Sequence, residues 1–345
     1  MNMNDLKKDI KKIFINLCLI FVVLVIVLYF FLKDNYDEII SYISNMNMWW
    51  FLVAIVFYLL FRGLIGVTSY FMARLNNADI SFLKMLQINY IIPFFHGVTP
   101  FAGGGQPMEI YFLHNERIRI DKSTNITLQN FIIYQTALVI ICTFAVIYNQ
   151  LFGIFPQDSL MKKLVILGFV INFLILLLGA FVSFSTKFTK FVVYRVIGFL
   201  YRIKIVKDKE ETKDKYNKII NQYHKNAMIL TKNKKRFLLY VLINVFAISF
   251  FYLITYAVCM GMGVNINFIK ILVMTTYVMM IGNFVPIPGG TGGVEFGFMF
   301  FFGYHITGGV LTAIMLMWRF ISYYVAMIIG AIALVFYRKK EKECE

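Results

Sequence analysis

The sequence predicts an all-α polytopic membrane protein of eight apolar segments: about six full spans plus two re-entrant hairpins rich in glycine and proline, arranged as an inverted-topology repeat. Three observations predict it. Of 345 residues, 60% are hydrophobic and only 15% charged, in long uninterrupted apolar runs; this is the composition of an integral membrane protein rather than of two or three soluble domains. Two of the apolar stretches are broken by glycine clusters. A shift of the chain by 186 residues lays one cluster on the other.

The full-length apolar runs are 13–32, 48–72, 125–149, 163–185, 237–262 and 308–337. Each is long enough, at 1.5 Å per residue, to cross a hydrocarbon core of ~30 Å. The first follows Lys7, Lys8, Lys11 and Lys12 and ends at Lys33-Asp34-Asn35 without a small-residue cleavage site, so it reads as a retained span and not a signal peptide. Between the full runs lie two stretches of a different kind, 83–113 and 266–304. The second holds V-P-I-P-G-G-T-G-G-V-E from Val285 to Glu295. In hydrocarbon an unpaired backbone N–H or C=O costs several kcal/mol, so such a break survives only inside protein or beside a polar cavity.

The net charge of +16 is unevenly spread. Thr186 to Phe237 carries 15 Lys and Arg against 4 acidic residues, a net +11, leaving +5 for everything else. That distribution marks a cytoplasmic loop beside an anionic leaflet, and it argues against nucleic acid as a direct partner. It also decides the crossing count. If 83–113 and 266–304 each crossed once, the most basic loop would lie outside; if each enters and leaves by one face, residues 1–12, 72–84, 114–124, 186–236 and 338–345 are all cytoplasmic. The acidic loop Lys33 to Asn47 and the loop Gln150 to Leu160 then face outside. Within the basic segment, Ser185 to Lys204 alternates apolar with basic residues as an interfacial helix does. Lys207 to Lys235 reads as a solvated helix with Glu211–Lys215 and Asp214–Lys218 pairs.

With the 186-residue shift, Pro100 falls on Pro286, Gly103 on Gly289, Gly104 on Gly290 and Glu109 on Glu295. The flanking runs follow, so span, hairpin, span occurs twice, over 48–149 and 237–337. An odd number of crossings separates the copies, which makes the repeat inverted, an arrangement by which secondary transporters build a midplane site from discontinuous helices.

Four ionisable residues sit deep in apolar segments: Arg62, Glu109, Glu295 and Arg319. A charge at the bilayer centre costs roughly 2.5–3.5 kcal/mol on insertion scales, so such residues face partners or water. Two readings stay open. They form buried ion pairs that fix helix register, or the hairpins present glycine-freed N–H groups and the arginines to an anionic group. On the second reading the substrate-binding residues are Arg62, Gly103, Gly104, Gly105, Gln106, Glu109 and Tyr111 from the first half, with Asn283, Pro286, Pro288, Gly289, Gly290, Gly292, Gly293, Glu295 and Arg319 from the second. There is no P-loop, no G-x-S-x-G and no metal-ligand spacing among the four cysteines and four histidines; no catalytic residue, metal or cofactor is expected.

Thr99 to Tyr111 (T-P-F-A-G-G-G-Q-P-M-E-I-Y) and Pro286 to Glu295 (P-I-P-G-G-T-G-G-V-E) together resemble the signature of the lysylphosphatidylglycerol synthase transmembrane-region family, with Arg62 and R-F-I-S-Y-Y from Arg319 similar to further positions. The resemblance covers nearly the whole chain and departs at Gln106, where many relatives are acidic, and near Val325, where no proline stands. It implies a bacterial cytoplasmic-membrane protein with both termini inside. It further implies flippase-type movement of an aminoacylated or anionic phospholipid, which contributes to resistance against cationic antimicrobial peptides. Two-part members add a soluble domain that transfers lysine from lysyl-tRNA to phosphatidylglycerol. Here the chain stops at Glu345, eight residues past the last span, so a separate soluble synthase is the expected partner and aminoacyl transfer by this polypeptide is not expected. A lysyltransferase, or the membrane component of one, and a non-transporting scaffold are the rival readings. The sequence leaves the exact lipid, the coupling ion and the oligomeric state open.

Overall fold

The computed structural model describes residues 36–99, 103–155, 159–202, 233–282 and 287–337, with scattered residues between 208 and 221. The first predicted span, Asn283, Pro286 and the tail 338–345 lie outside the described residues. All regular structure among the described residues is helical. In chain order the helices are α1 (Tyr36–Ser44), α2 (Met48–Leu75), α3 (Phe82–Gly97), α4 (Gly105–Asn115), α5 (Ile120–Phe152), α6 (Ser159–Phe184), α7 (Thr186–Arg202), α8 (Lys234–Gly261) and α9 (Phe268–Gly282). A single 3₁₀ turn, Pro288–Gly290, precedes α10 (Gly293–Gly303). The last segment is α11 (Gly309–Arg319), a π turn (Phe320–Val325) and α12 (Ala326–Val335), which run on as one rod.

Five helical segments among the described residues are long and apolar enough to cross a membrane: α2, α5, α6, α8 and the α11–α12 rod. α3, α4, α9 and α10 are not; the longest, α3, has 16 residues and reaches only about 24 Å. α3 packs on α4, and α9 on α10, so each glycine break separates two short helices that lie together.

α2 and α8 form the central pair and make the most extensive helix contact among the described residues. Shifted by 186 residues, Met48–Leu75 falls on Lys234–Gly261, the bounds of α8. The ends match in detail. Asn47 and Asn233 both cap with side-chain oxygens, on the N–H groups of Trp49 and Arg236. At the other end Asn77 (φ +50°) and Gly263 (φ +77°) turn left-handed, and the N–H groups of Ala78 and Val264 bond back to the carbonyls of Ala73 and Cys259, a helix stop of the Schellman kind. One buried polar contact recurs too: Ser69 Oγ donates to Asn89 Oδ1 at 3.3 Å, and Thr275 Oγ1 to Thr255 Oγ1 at 3.2 Å.

Two elements differ from the sequence expectation. The acidic stretch read as a loop contains α1, with Asp37 and Glu38 in its first turn, where carboxylates complement the helix dipole. It is held by the fully buried Ile39 and by Glu38, whose Oε2 accepts the Gly309 N–H at 3.0 Å. α5 begins at Ile120, five residues before the expected run. Its first turns are polar yet buried (Asp121, Ser123, Asn125, Thr127, Gln129, Asn130), because they pack against α2 and α4. The charged pairs expected beyond Lys207 lie outside the described residues; among those described, Lys213 Nζ meets Glu210 Oε1 at 2.7 Å.

Candidate functional site

The second break is built from backbone that only glycine tolerates well. Gly289, Gly290 and Gly292 have φ of +69°, +65° and +91°, the left-handed region where a Cβ would clash with the carbonyl. A Cβ on Gly289 would also run into the Tyr323 ring, whereas one on Gly292 meets open space. The chain then enters α10, and Glu295, in its first turn, folds back so that Oε2 accepts the Gly292 N–H at 2.7 Å. This side-chain cap satisfies one of the orphan donors of the helix start.

Arg319, at the end of α11, closes the break. Its Nε meets Glu295 Oε1 at 2.7 Å, its Nη2 donates to the Gly289 carbonyl at 2.9 Å, and its guanidinium lies 4.9 Å from the centre of the Tyr323 ring. Both charged side chains are less than a tenth exposed. Tyr323, one turn on within the π segment, donates its hydroxyl to the Gly97 carbonyl at 2.8 Å. Gly97 ends α3, and α3 also touches the Pro288–Gly290 turn. The second break therefore adjoins the helix that leads into the first.

Around the first break the arrangement is different. Thr99 Oγ1 donates to the Phe95 carbonyl at 2.7 Å and accepts the Gly104 N–H at 2.9 Å, which fixes the turn; Gly105 is buried against the His96 ring. Glu109, one turn into α4, is partly buried and receives a long bond of 3.4 Å from Asn130 Nδ2. Arg62 is buried but points its Nε (3.1 Å) and Nη2 to the backbone carbonyl of Asn89. It is near enough to Glu109 to act on it electrostatically, yet no ion pair closes between them among the described residues. Tyr111 is exposed and stacks edge-on with Phe112. Gly103 is exposed and Gln106 partly buried; Gly293 begins α10, one residue after the cap.

The structure thus gathers Gly289, Gly292, Glu295 and Arg319 into one closed network, and joins Glu109 to Arg62 through Asn130, Ser69 and Asn89. The sequence reading did not single out Tyr323, Ser69, Asn89 or Asn130. A usable signal existed: Arg62, Ser69 and Asn76 are seven residues apart, one face of α2. Among the described residues no group of three metal-ligating side chains comes together. A separate charged cleft of about 450 Å³ lies at the α2–α3 turn, with Arg74, Asp79, Lys84 and Glu116 on its walls.

Residues 15–330 match the family described as the transmembrane region of lysylphosphatidylglycerol synthase. The chain belongs to that family. No curated protein matches it. Membership in the lysylphosphatidylglycerol synthase transmembrane-region family, together with the five long apolar helices, makes this a multi-pass membrane protein and associates it with the handling of lysylphosphatidylglycerol.

Proposed function

We propose that the chain is a flippase-type translocator that moves an aminoacylated or anionic phospholipid, such as lysylphosphatidylglycerol, across the bacterial cytoplasmic membrane. In this reading 83–113 and 266–304 are re-entrant hairpins of an inverted repeat, the termini and the basic 186–236 segment are cytoplasmic, and the exported headgroup charge contributes to resistance against cationic antimicrobial peptides. A separate soluble aminoacyl-lipid synthase is the partner that would supply the lipid. The headgroup binds between the breaks, with Arg62, Gly103 to Gln106, Glu109 and Tyr111 on one side, and Asn283, Pro286, Pro288 to Gly290, Gly292, Gly293, Glu295 and Arg319 on the other.

One observation carries the reading. There are two glycine turns, each followed one helical turn later by a glutamate and each accompanied by a buried arginine, and the second is bound through Tyr323 to Gly97, the end of the helix that leads into the first. An intramembrane ionisable group is expensive unless it serves a pathway or a partner. Because α3 packs against both the Pro288–Gly290 turn and α4, a lipid phosphate would pass along α3 from one arginine to the other while its acyl chains stay in the bilayer. Arg319 keeps one face of its guanidinium against the Tyr323 ring and is tied to the turn itself, so substrate binding there would be felt directly by the glycines.

The test is leaflet distribution of fluorescent lysylphosphatidylglycerol in proteoliposomes. Wild-type protein should accelerate redistribution without changing the lipid's mass, and Glu295→Gln should abolish this while inserting normally. Wild-type rates in Glu295→Gln, or wild-type protein no faster than protein-free vesicles, sink the assignment. Formation of new lysyl-lipid from lysyl-tRNA by the purified chain would favour the lysyltransferase instead, and a scaffold would do neither.

A further inference from the structure

Glu109 and Glu295 occupy equivalent places in the two breaks and have opposite surroundings. Both Glu295 oxygens are taken by donors, Arg319 Nε and the Gly292 N–H, each at 2.7 Å. That partner set has no acceptor for a carboxyl proton. Among the described residues Glu109 has only the 3.4 Å bond from Asn130, because Arg62 gives its Nε and Nη2 to the Asn89 carbonyl.

From Glu109 a column of buried polar side chains runs between α2 and α5 to the loop face where Lys122 Nζ bonds the Asn77 carbonyl at 2.8 Å. Asn130 Nδ2 donates to Ser69 Oγ at 3.0 Å; further along, Asn125 Nδ2 donates to Asn76 Oδ1 at 2.5 Å and Asn76 Nδ2 to Gln129 Oε1 at 2.9 Å. Four atoms of this column have no hydrogen-bond partner among the described residues: Asn125 Oδ1, Thr127 Oγ1, Gln129 Nε2 and Asn130 Oδ1. Their side chains are all at least nine-tenths buried. Thr127 faces the Glu109 carboxyl without closing a bond to it. An orphaned buried polar atom costs about 1–3 kcal/mol. Four within six residues of one helix are explained when water threads between them.

We propose that this column is a hydrated proton path and that Glu109 is the carboxyl group it serves, so that lipid translocation is coupled to proton movement. A proton arriving from hydronium forms the O–H bond of the Glu109 carboxylic acid and leaves water behind. The first break then changes from a balanced Arg62–Glu109 pair to a net +1, which favours an anionic headgroup; loss of the proton restores the balance and weakens the headgroup's hold. The groups around the pair are Tyr58 of α2, Tyr90 of α3 and Tyr134 of α5, each within electrostatic reach of Arg62, while His96 of α3 lies against Gly105 at the same break. Only Arg62 among them carries a fixed charge near neutral pH. The column opens on the face that is cytoplasmic in the proposed topology. The coupling, but not the proton site, rests on the translocation reading.

The experiment is an infrared pH titration of the carboxylic-acid carbonyl band of the full chain in lipid nanodiscs, followed by transport in proteoliposomes under an imposed pH gradient. The expected results are a titrating band that is lost in Glu109→Gln and kept in Glu109→Asp and Glu295→Gln, and slower exchange of that band into D₂O in the double variant Asn125→Leu with Gln129→Leu. Lipid movement should respond to the gradient in wild type and not in Glu109→Gln. A band of undiminished intensity in Glu109→Gln overturns the proton site. Gradient-independent wild-type transport overturns the coupling. Should Glu109→Gln fail to fold, Asn130→Leu must shift the band's midpoint, and an unmoved midpoint overturns the site. The expected band behaviour without lipid movement in any vesicle supports the proton site and defeats the translocation reading.

Discussion

Arg319 combines three contacts that lysine could not: an ion pair to Glu295, a second N–H to the Gly289 carbonyl and a planar face against Tyr323. Removing one member of a buried pair costs about 3–5 kcal/mol, because the remaining charge is left unpaired, while removing both costs much less. Arg319→Met and Glu295→Gln should therefore each lower stability by roughly that amount, and the double variant should be less destabilised than the sum. A double-mutant cycle on detergent-solubilised protein, read by chemical unfolding, would show additivity if the network were absent. The glycines separate in the same way. Gly292→Ala should carry only the left-handed backbone cost of about 1–2 kcal/mol, since nothing crowds its Cβ position. Gly289→Ala should lose more, because the Tyr323 ring must also give way, and Tyr323→Ala should recover that additional part. Equal melting points for the two alanine variants would refute the packing account.

At the scale of elements, the last span owes its shape to the π turn Phe320–Val325. A π bulge is an inserted residue within an α-helix and recurs at functional positions. Here it lies between Arg319 and α12, and Tyr323 within it reaches across to α3. Deleting Phe320, which is exposed, should restore a regular α-helix and bring Tyr323 one residue nearer to Arg319 along it, out of its present position against Arg319 and Gly97. The expected outcome is loss of lipid redistribution in proteoliposomes with insertion and helical circular dichroism retained. Unchanged transport would mean that the π geometry has no part in the site. The caps make a milder case: Asn47→Ala and Asn233→Ala should each cost about 1 kcal/mol, and by similar amounts, because the two asparagines begin helices with corresponding bounds.

For the molecule as a whole, the proposed topology makes a labelling prediction. In a cysteine-free background, Asp37→Cys in α1 should react with a membrane-impermeant maleimide on intact cells, whereas Lys213→Cys should react only after permeabilisation. Reaction of both sites under the same condition would overturn the odd number of crossings between the copies, on which the inverted repeat depends, and the reverse pattern would overturn the proposed orientation. The existence of helices and breaks was readable in advance, because the length of an apolar run and the placement of glycine are local properties. The recurrence after 186 residues was readable for the same reason: left-handed turns at Gly289, Gly290 and Gly292 leave a trace in residue type. α1 was not readable, because Asp37, Glu38 and Ser41 interrupt its apolar pattern, and it is held by a contact with Gly309, 271 residues away. The buried polar start of α5 was likewise hidden, since Asn125, Gln129 and Asn130 look like solvated residues until α2 covers them.

The sequence by itself determined the membrane class, the family, the two breaks and the four intramembrane charges. Only the tertiary structure decided how those charges are used. In sequence Arg62 and Arg319 are alike, each an arginine in an apolar helix with a glutamate in a nearby break. In space Arg319 reaches Glu295, while Arg62 is spent on the Asn89 carbonyl and leaves Glu109 to Asn130. Which acceptor a guanidinium finds depends on the positions of helices that are not neighbours in the chain, and no local pattern of residues carries that information.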